Sequence, residues 1–429
     1  MRRAFVNARL LDPASGLDSP GGLLVLGEAI ADCGPHVRPQ ELSADTELVD
    51  CQGHCLAPGL VDMRTQFREP GEEHKETIDS ISRAAAAGGI TALVGLPNTQ
   101  PPIDDVAVVE FVARRAREVK LVKIFVYGAA TKGMAGEQIT EMGLLLEAGA
   151  LALTDGTRAI RNARVMRHAL SYATAFGALV IQHPEDPDLA KGGDMSEGEL
   201  ATRLGLAGIP AAAESILLER DRRLVALTGG RYHAAHLSTA EGLDVIRRAK
   251  AEGLKVTADT APPYFALNEM AVDEYRTFAK VSPPLRNESD RLAVVQALRD
   301  GTIDVIASDH SPHDQESKRI PFGQAEPGIA GVETLLPLGL ELYHDGHLPL
   351  LDLLAKITLK PAEILGLPLG TLQVGRPADL VVFDADRPLR LDVKNSVGKS
   401  KNAPYEGRPV QGQVRMTVVD GRIVYQSFD

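Results

Sequence analysis

A chain of 429 residues is long enough to bury more than one hydrophobic core, and 44% hydrophobic with 24% charged residues is typical of a globular protein. The formal net charge of −12 argues against a nucleic acid or an anionic membrane as partner, because neither would be attracted electrostatically. No run approaches the roughly 18 apolar residues of a membrane span, and the N-terminus lacks an apolar segment of signal-peptide length. We therefore expect a cytoplasmic protein with small-molecule or protein partners.

The first segment, from Ala4 to about Leu56, contains short β-like runs such as "AFVNARLLD" and "GGLLVLGEAIADCG", separated by Gly, Pro and Asp turns. The end of the chain has the same texture, in "GTLQVGRPADLVVFDA" and "VQGQVRMTVVDGRIVYQ". Because the termini of folded proteins often lie close together, the two ends predict one composite β-sandwich domain, built from residues 1–55 and 366–429.

The three cysteines, Cys33, Cys51 and Cys55, all fall in the N-terminal segment. Cys51 and Cys55 could form half of a zinc knuckle, but the chain has no second cysteine pair to complete four ligands. We expect buried, small hydrophobic side chains in a reducing compartment.

Between the two ends, buried-strand runs alternate with helical patterns. The strand-like runs include "GITALVGLP", "VKIFVYGAA", "GALVIQHPED", "LKVTADT" and "DVIASDHSPH", and the segments between them have apolar residues at helical spacing. Seven or eight such units favour a closed (β/α)8 barrel over an open sheet. We predict a barrel of residues 56–365, with its chemistry at the carboxyl ends of the strands.

Each strand-like run stops at a polar residue capable of chemistry. These residues are Arg64, Gln66, Arg68, Asn98, Asp155, His183, His236, Asp309, His310 and His313. Two neutral imidazoles with carboxylates suit a divalent ion such as zinc, and a carboxylate beside that ion can act as a general base. His233 lies three residues before His236 on the same strand, so an odd spacing puts it on the opposite face, and we do not expect it to be a ligand.

Several long motifs now carry a resemblance that spans nearly the whole chain. "REPGEEHKETIDSISRAAAAGGITALVGLPNTQPPIDD", "KVSPPLRNESDRLAVVQALRDGTIDVIASDHSPH", "GIAGVETLLPL" and "NAPYEGRPVQG" resemble the long-chain (type I) dihydroorotases of the amidohydrolase superfamily. The resemblance also implies the barrel with a flanking β domain. It implies the reversible cyclisation of N-carbamoyl-aspartate to dihydroorotate in pyrimidine synthesis, with zinc polarising the amide carbonyl and generating hydroxide.

Matched residue by residue, the resemblance assigns three roles to strand-end positions. Asp155, His183 and His236 match the ligands of one metal position, and Asp309 matches the residue that ligates the other metal and shuttles the proton. The substrate contacts match Arg68 and Asn98, which hold the free carboxylate, and His313, Pro327 and Gly328. A guanidinium fork suits a carboxylate geometrically.

The departures from the family pattern are concentrated at the chemistry. The family strand Asp-x-His-x-His-x-Arg reads Asp62, Arg64, Gln66 and Arg68 here, as in dihydroorotase-like homologues that lack the His-x-His metal motif. The charge of Arg64 cannot be shed and would repel a divalent cation nearby. Three further motifs are altered as well: "TPHH" reads "APPY" from Ala261 to Tyr264, "NPP" begins with Ser282, and "DDG" reads Asp155, Gly156, Thr157.

Three hypotheses remain open. The chain can be a non-catalytic homologue that persists as an oligomeric partner of aspartate carbamoyltransferase. It can instead be an active hydrolase of a cyclic amide with a single zinc on Asp155, His183 and His236 and with Asp309 as base, in which case Arg64 must pair with Asp309, Asp62 or substrate. It can also be a small-molecule binding or sensing protein that keeps the Arg68 and Asn98 carboxylate clamp without turnover, whereas dihydroorotate or N-carbamoyl-aspartate is the expected substrate only if the chain is active.

Overall fold

The computed structural model describes residues 2–427. Its strands are β1 (Arg2–Asp12), β2 (Leu17–Leu26), β3 (Ala29–Gly34), β4 (Glu47–Asp50), β5 (Cys55–Pro58), β6 (Leu60–Thr65), β7 (Ile90–Gly95), β8 (Lys123–Val126), β9 (Leu153–Thr154), β10 (Leu179–Gln182), β11 (Met195–Ser196), β12 (Gly208–Ile209), β13 (Arg231–Ala234), β14 (Val256–Thr260), β15 (Val305–Ile306), β16 (Leu380–Arg390), β17 (Pro409–Val419) and β18 (Arg422–Gln426).

Its α-helices are α1 (Ile78–Ala87), α2 (Val106–Val119), α3 (Met142–Glu147), α4 (Ala163–Thr174), α5 (Glu199–Leu204), α6 (Ala212–Thr228), α7 (Ala240–Ala251), α8 (Pro262–Ala266), α9 (Glu288–Arg299), α10 (Gln315–Lys318), α11 (Leu335–His344), α12 (Leu350–Ile357) and α13 (Leu359–Leu365). Within residues 2–427, none of these helices combines the length and the apolar character that crossing a bilayer requires.

Strands from both ends of the chain form one sheet beside the barrel. Its order is β18, β17, β16, β5, β1, β2, β3, and β4 pairs with β1. Strand β5 joins the two halves, because Leu56 pairs antiparallel with Val382 and parallel with Leu10. The composite β domain is thereby confirmed. The sheet continues to Pro58, past the predicted boundary at residue 55, and the exact limits 1–55, 56–365 and 366–429 stay a prediction.

The flank sheet is buried on two faces, and strand β16 shows how. Leu380 and Val382 pack into the core of the flank, whereas Val381 and Phe383 join the core shared with the barrel helices. Because neighbouring side chains on a strand point to opposite faces, one apolar run serves both cores. Cys51 and Cys55 are buried and form no disulfide, in agreement with the expectation, whereas Cys33 is also free but only partly buried.

Eight parallel strands close into a barrel. One set is β6, β7 and β8, and the other is β9, β10, β13, β14 and β15. Two bridges, Gly128 with Leu153 and Thr65 with His310, join the sets at both edges. The predicted (β/α)8 barrel is therefore confirmed, and the carboxyl ends of its strands meet at one rim.

Helix α1 illustrates how the outer layer forms. Thr77 precedes it in an extended conformation, and Thr77 and Ser80 form a reciprocal capping box. Its apolar face, with Ile78 and Ile81 fully buried, packs in the same cluster as Leu60 and Leu93 of the barrel strands. The helix thereby fixes one end of residues 66–77, the segment that leads from the carboxyl end of β6 across the rim to α1.

Candidate functional site

A polar cavity of about 280 Å³ lies at the carboxyl ends of the barrel strands. Eight of the residues singled out in the sequence line it: Gln66, Arg68, Asn98, His236, Asp309, His313, Pro327 and Gly328. A second cavity, of about 240 Å³, is lined by apolar and polar residues of the barrel rim and the C-terminal segment and shares no residue with the first. The strand-end pocket is therefore the candidate site.

Three of the residues at this rim have a strained backbone. Arg68, His236 and Asp309 have positive φ angles of 62°, 41° and 49°. Side chains other than glycine rarely adopt this left-handed region, and such residues cluster at functional sites, where the surrounding structure holds them in place. The backbone therefore aims these side chains into the pocket.

Arg64 lies under the floor of the pocket with only 2% of its surface exposed. Its Nε donates to Oδ1 of Asp309 at 2.8 Å, and its Nη2 donates to Nε2 of His236 at 3.2 Å and to the carbonyl of Gly156 at 3.3 Å. Of the two carboxylates expected as its partner, Asp309 is the one that pairs with the guanidinium. Asp62 accepts the backbone N–H of Arg64 and that of Ser308, and no bond from the guanidinium is seen.

His236 links Arg64, Asp309 and His183 into one chain of hydrogen bonds. Because a guanidinium only donates, Nε2 of His236 is the acceptor, and the proton is assigned to Nδ1, which lies 3.0 Å from Oδ2 of Asp309. Nδ1 of His183 then donates to the same Nε2 at 2.7 Å. Burial first, and then the charge of Arg64, lowers the pKa of His236 to about 4, so the ring is neutral at pH 7.

The carboxylate of Asp309 is fully engaged by this network. Burial raises its pKa, but the N–H donor of His236 and the guanidinium of Arg64 lower the pKa by more, so it lies below its ordinary value. Each oxygen accepts one of these donors. Asp309 is therefore held as an anion with low proton affinity.

This arrangement does not fit a metal ion. Two nitrogens that bind one tetrahedral zinc ion lie roughly 3.3 Å apart, because each zinc–nitrogen bond is about 2.0 Å long. Nδ1 of His183 and Nε2 of His236 are only 2.7 Å apart and are hydrogen-bonded to each other. Asp155 accepts from the backbone N–H and the hydroxyl of Thr131. Across residues 2–427, no group of three or more His, Cys, Asp or Glu side chains is placed to hold a metal.

Gln66 takes part in a separate bridge across the pocket wall. Its Nε2 donates to the hydroxyl of Ser311 at 2.9 Å, and its Oε1 accepts from Nδ2 of Asn98 at 2.9 Å. The amide replaces an imidazole of the family pattern with a group that fixes two neighbouring strand ends. The side-chain amide of Asn98 is thereby held in place by Gln66.

Arg68 is fixed in the pocket wall by several partners. Its Nε donates to the carbonyl of Pro312 at 3.1 Å, and its Nη1 donates to Oε2 of Glu72 at 2.9 Å. Nε2 of His313 lies 3.3 Å from Nη2 of Arg68 and 3.0 Å from the carbonyl of Pro327. Three of the expected substrate contacts, Arg68, His313 and Pro327, thus lie side by side.

Asn402 and Lys318 hold the wall that carries His313 and Gly328. Nδ2 of Asn402 donates to the carbonyls of Ser311 and Gly328, and its Oδ1 accepts the N–H of His313 at 3.0 Å. The ammonium group of Lys318 donates to the carbonyls of Glu326 and Gly328 at 2.7 and 3.1 Å. Both residues are at most 2% exposed, so buried side chains hold the backbone of this wall in place.

Comparison with known proteins now places the chain. A family model described as dihydro-orotase-like matches residues 53–242, and a model of the amidohydrolase family matches residues 218–425. The dihydroorotase of Anaplasma phagocytophilum is 48% identical over 427 residues, which is 99% of this chain and 95% of that protein. The dihydroorotase of Desulforapulum autotrophicum is 45% identical over 422 residues, 98% of each. This chain belongs to the dihydroorotase family.

Solved structures show the same fold at lower identity. The L-hydantoinase (dihydropyrimidinase) from Arthrobacter aurescens has a TM-score of 0.87 at 24% identity and covers 100% of this chain and 96% of its own. The dihydropyrimidinase from Brevibacillus agri has a TM-score of 0.86 at 23% identity, over 99% and 95% of the two chains.

Within the dihydroorotase family pattern, the structure divides the predicted residues into two groups. The predicted substrate contacts line the pocket together with Gln66, His236 and Asp309, whereas Arg64, Asp155 and His183 lie outside its lining. The metal ligands and the substrate contacts both stay predictions. His233 uses both ring nitrogens on Thr257 and Asp259, which agrees with its exclusion as a ligand.

Several residues of the site were not predicted, and four of them are charged or amide side chains that the wall depends on. Lys75 and Glu72 line the pocket, and Lys318 and Asn402 support it. Asn402 begins the motif "NAPYEGRPVQG", and Glu72 and Lys75 lie in "REPGEEHKET", so the motifs contained a signal. Their contacts depend on side-chain positions that no spacing rule provides.

Proposed function

We propose that this protein is a non-catalytic member of the dihydroorotase family that binds a carboxylate ligand of pyrimidine biosynthesis in the cytoplasm and serves as structural partner of aspartate carbamoyltransferase. One observation carries the proposal. The guanidinium of Arg64 is bonded to both Asp309 and His236, and these are two of the groups that the family resemblance assigns to metal binding and proton transfer.

The charge of Arg64 explains why a metal would be excluded. A dication about 4 Å from a guanidinium is repelled by on the order of 8 kcal/mol at an effective dielectric constant of about 20. Arginine cannot relieve this repulsion by losing its proton. A guanidinium also has no bound water to ionise near neutral pH, which is what a catalytic metal supplies.

Asp309 is poorly suited to act as a base in this setting. A general base works best with a pKa near the working pH, whereas the pKa of Asp309 is held below its ordinary value by the donors of His236 and Arg64. Both of its oxygens already accept hydrogen bonds. In this proposal the chain therefore lacks both the metal ion that activates the substrate and the general base of the family reaction.

Ligand binding does not require the lost groups. Arg68 and Asn98, with His313, Pro327 and Gly328, still line one pocket. Dihydroorotate and N-carbamoyl-L-aspartate each carry a carboxylate that a guanidinium fork can hold. We therefore expect binding without turnover.

The partnership with aspartate carbamoyltransferase rests on the resemblance to homologues that lack the His-x-His motif. A barrel whose fold is kept while its metal site is replaced is what a structural role would leave. The test is co-purification of the two proteins from the native cell. Loss of aspartate carbamoyltransferase activity on deletion of this protein is required by the proposal, and unchanged activity would contradict it.

A second candidate is an active dihydroorotase with one zinc ion on Asp155, His183 and His236. Its support is the 48% identity, over nearly the full length, to a protein named dihydroorotase. Arg64 would then have to leave both Asp309 and His236. Zinc near one per chain together with dihydroorotate hydrolysis would establish this candidate, whereas absence of both supports the non-catalytic one.

A further inference from the structure

Glu72 lies in the pocket between two cations. Its Oε2 accepts from Nη1 of Arg68 at 2.9 Å, and its Oε1 accepts from the ammonium group of Lys75. All three side chains line the strand-end pocket. Each oxygen of one carboxylate is thus bound by a separate cation.

The two cations are less exposed than the carboxylate that they bind. The side chains of Arg68 and Lys75 are 8% and 13% exposed, whereas that of Glu72 is 24% exposed. Arg68 is also anchored through Nε on the carbonyl of Pro312, and within residues 2–427 the Glu72 carboxylate is hydrogen-bonded to the two cations alone. Glu72 can therefore swing toward solvent without breaking other side-chain contacts.

The charges around the pocket give Glu72 a specific effect. The lining contains the cations Arg68 and Lys75 and the anions Glu72, Glu326 and Asp309. Asp309 is already paired with Arg64 from below the floor. Removing the charge of Glu72 would leave two cations with less anionic competition, in a partly buried place where charge interactions are stronger than in water.

We propose that Glu72 is a built-in carboxylate that occupies the Arg68 and Lys75 anion site and must be displaced before an external carboxylate binds there. This inference deepens the proposed function and rests on its claim that the pocket binds a carboxylate ligand. Glu72 would then set both the affinity and the preference of the pocket. A ligand has to compete with an anion that is already tethered at high effective concentration.

The experiment is isothermal titration calorimetry at low ionic strength with two probes, N-carbamoyl-L-aspartate and succinate. In Glu72→Gln the side chain keeps its size and loses its charge, and we expect at least tenfold tighter binding of both probes than in the unaltered protein. Glu72→Ala gives the same direction without a side-chain acceptor, and thermal unfolding of both variants checks that they are folded.

The matched control is Glu73→Gln. Glu73 is exposed, and its carboxylate accepts the N–H of Gly71 rather than a bond from either cation. The Glu73→Gln variant changes the net charge by the same amount as Glu72→Gln, one residue away. Because exposed charges act weakly through solvent, we expect its affinities for both probes to lie within about twofold of the unaltered protein. Equal tightening in both Gln variants would overturn the inference in favour of a general charge effect.

The remaining outcomes separate this inference from the proposed function. If the unaltered protein binds the probes and Glu72→Gln binds them equally or more weakly, only the role of Glu72 is overturned. Tight succinate binding in Glu72→Gln without any binding of N-carbamoyl-L-aspartate supports the role of Glu72 and rejects N-carbamoyl-L-aspartate as the ligand. If no protein binds either probe, the anion site and the role of Glu72 both fall, whereas zinc and turnover would reject only the non-catalytic function.

Discussion

Nε of Arg64 donates to Oδ1 of Asp309 across 2.8 Å, and the two side chains are 2% and 17% exposed. The cation of this pair is part of the chain, and it is bonded to the carboxylate that the family pattern assigns to a metal ion. A buried ion pair formed within the chain thus engages the carboxylate to which the family pattern assigns a metal ligand.

Removing the charge of Arg64 should destabilise the fold. In Arg64→Met the carboxylate of Asp309 remains largely buried without its cation, so we expect a loss of about 3 kcal/mol in the free energy of unfolding. Denaturant unfolding measures this loss. Arg83→Met is the matched control, because its pair with Asp79 is 62% and 48% exposed and should contribute less than about 1 kcal/mol. Equal losses in both variants would contradict the account.

Restoring the family's two imidazoles should restore metal binding. Arg64→His with Gln66→His removes the repelling charge and frees Nε2 of His236 from its Arg64 donor. We expect the zinc content of the purified double variant, measured by plasma mass spectrometry, to rise above that of the unaltered protein. Gln66→His alone keeps Arg64 and should gain none. An unchanged content in the double variant would mean that the site does not map onto these strand ends.

The barrel and its rim were predictable because their signals are periodic. Alternating strand and helix patterns gave the eight parallel strands, and parallel strands bring their carboxyl ends to one edge, which placed Arg68, Asn98, His236 and Asp309 around one pocket. The bond between His183 and His236 was not predictable, since ligand patterns assume a shared ion between such rings. The contact of Asp155 with Thr131 depends on a side-chain rotamer that spacing does not fix.

The carboxyl group of Asp62 should make the stability of the protein depend on pH, and the variant Asp62→Asn should remove this dependence. Burial raises the pKa of Asp62 from 3.8 to about 6. Between these values the folded chain keeps a proton that the unfolded chain has lost, so this contribution to stability falls as pH rises through the window and stays lost above it. Asp62→Asn should therefore be more favourable at pH 8 than at pH 4.5, relative to the unaltered protein, by on the order of 2 kcal/mol. Urea unfolding at the two pH values measures the difference, and equal effects at both would refute it.

Asn402 should be needed for the order of the pocket wall. Asn402→Ala removes bonds to Ser311, His313 and Gly328, and at about 1 kcal/mol per buried bond we expect a loss of about 3 kcal/mol in stability. Hydrogen exchange at the backbone amides of Ser311, His313 and residues 328–330 should become faster. Asn395→Ala is the control, because its side chain is bonded only to Asp392 nearby. Unaltered exchange in Asn402→Ala would show that the wall is held by other contacts.

The central claim is that Arg64 excludes the metal and leaves the protein without dihydroorotase activity. Its most direct test is to incubate the purified protein with zinc, remove unbound ion, and then measure bound zinc and dihydroorotate hydrolysis on the same sample. The account predicts zinc well below one ion per chain and no hydrolysis above the buffer rate. Zinc near one ion per chain, with hydrolysis that a chelator abolishes, would contradict it.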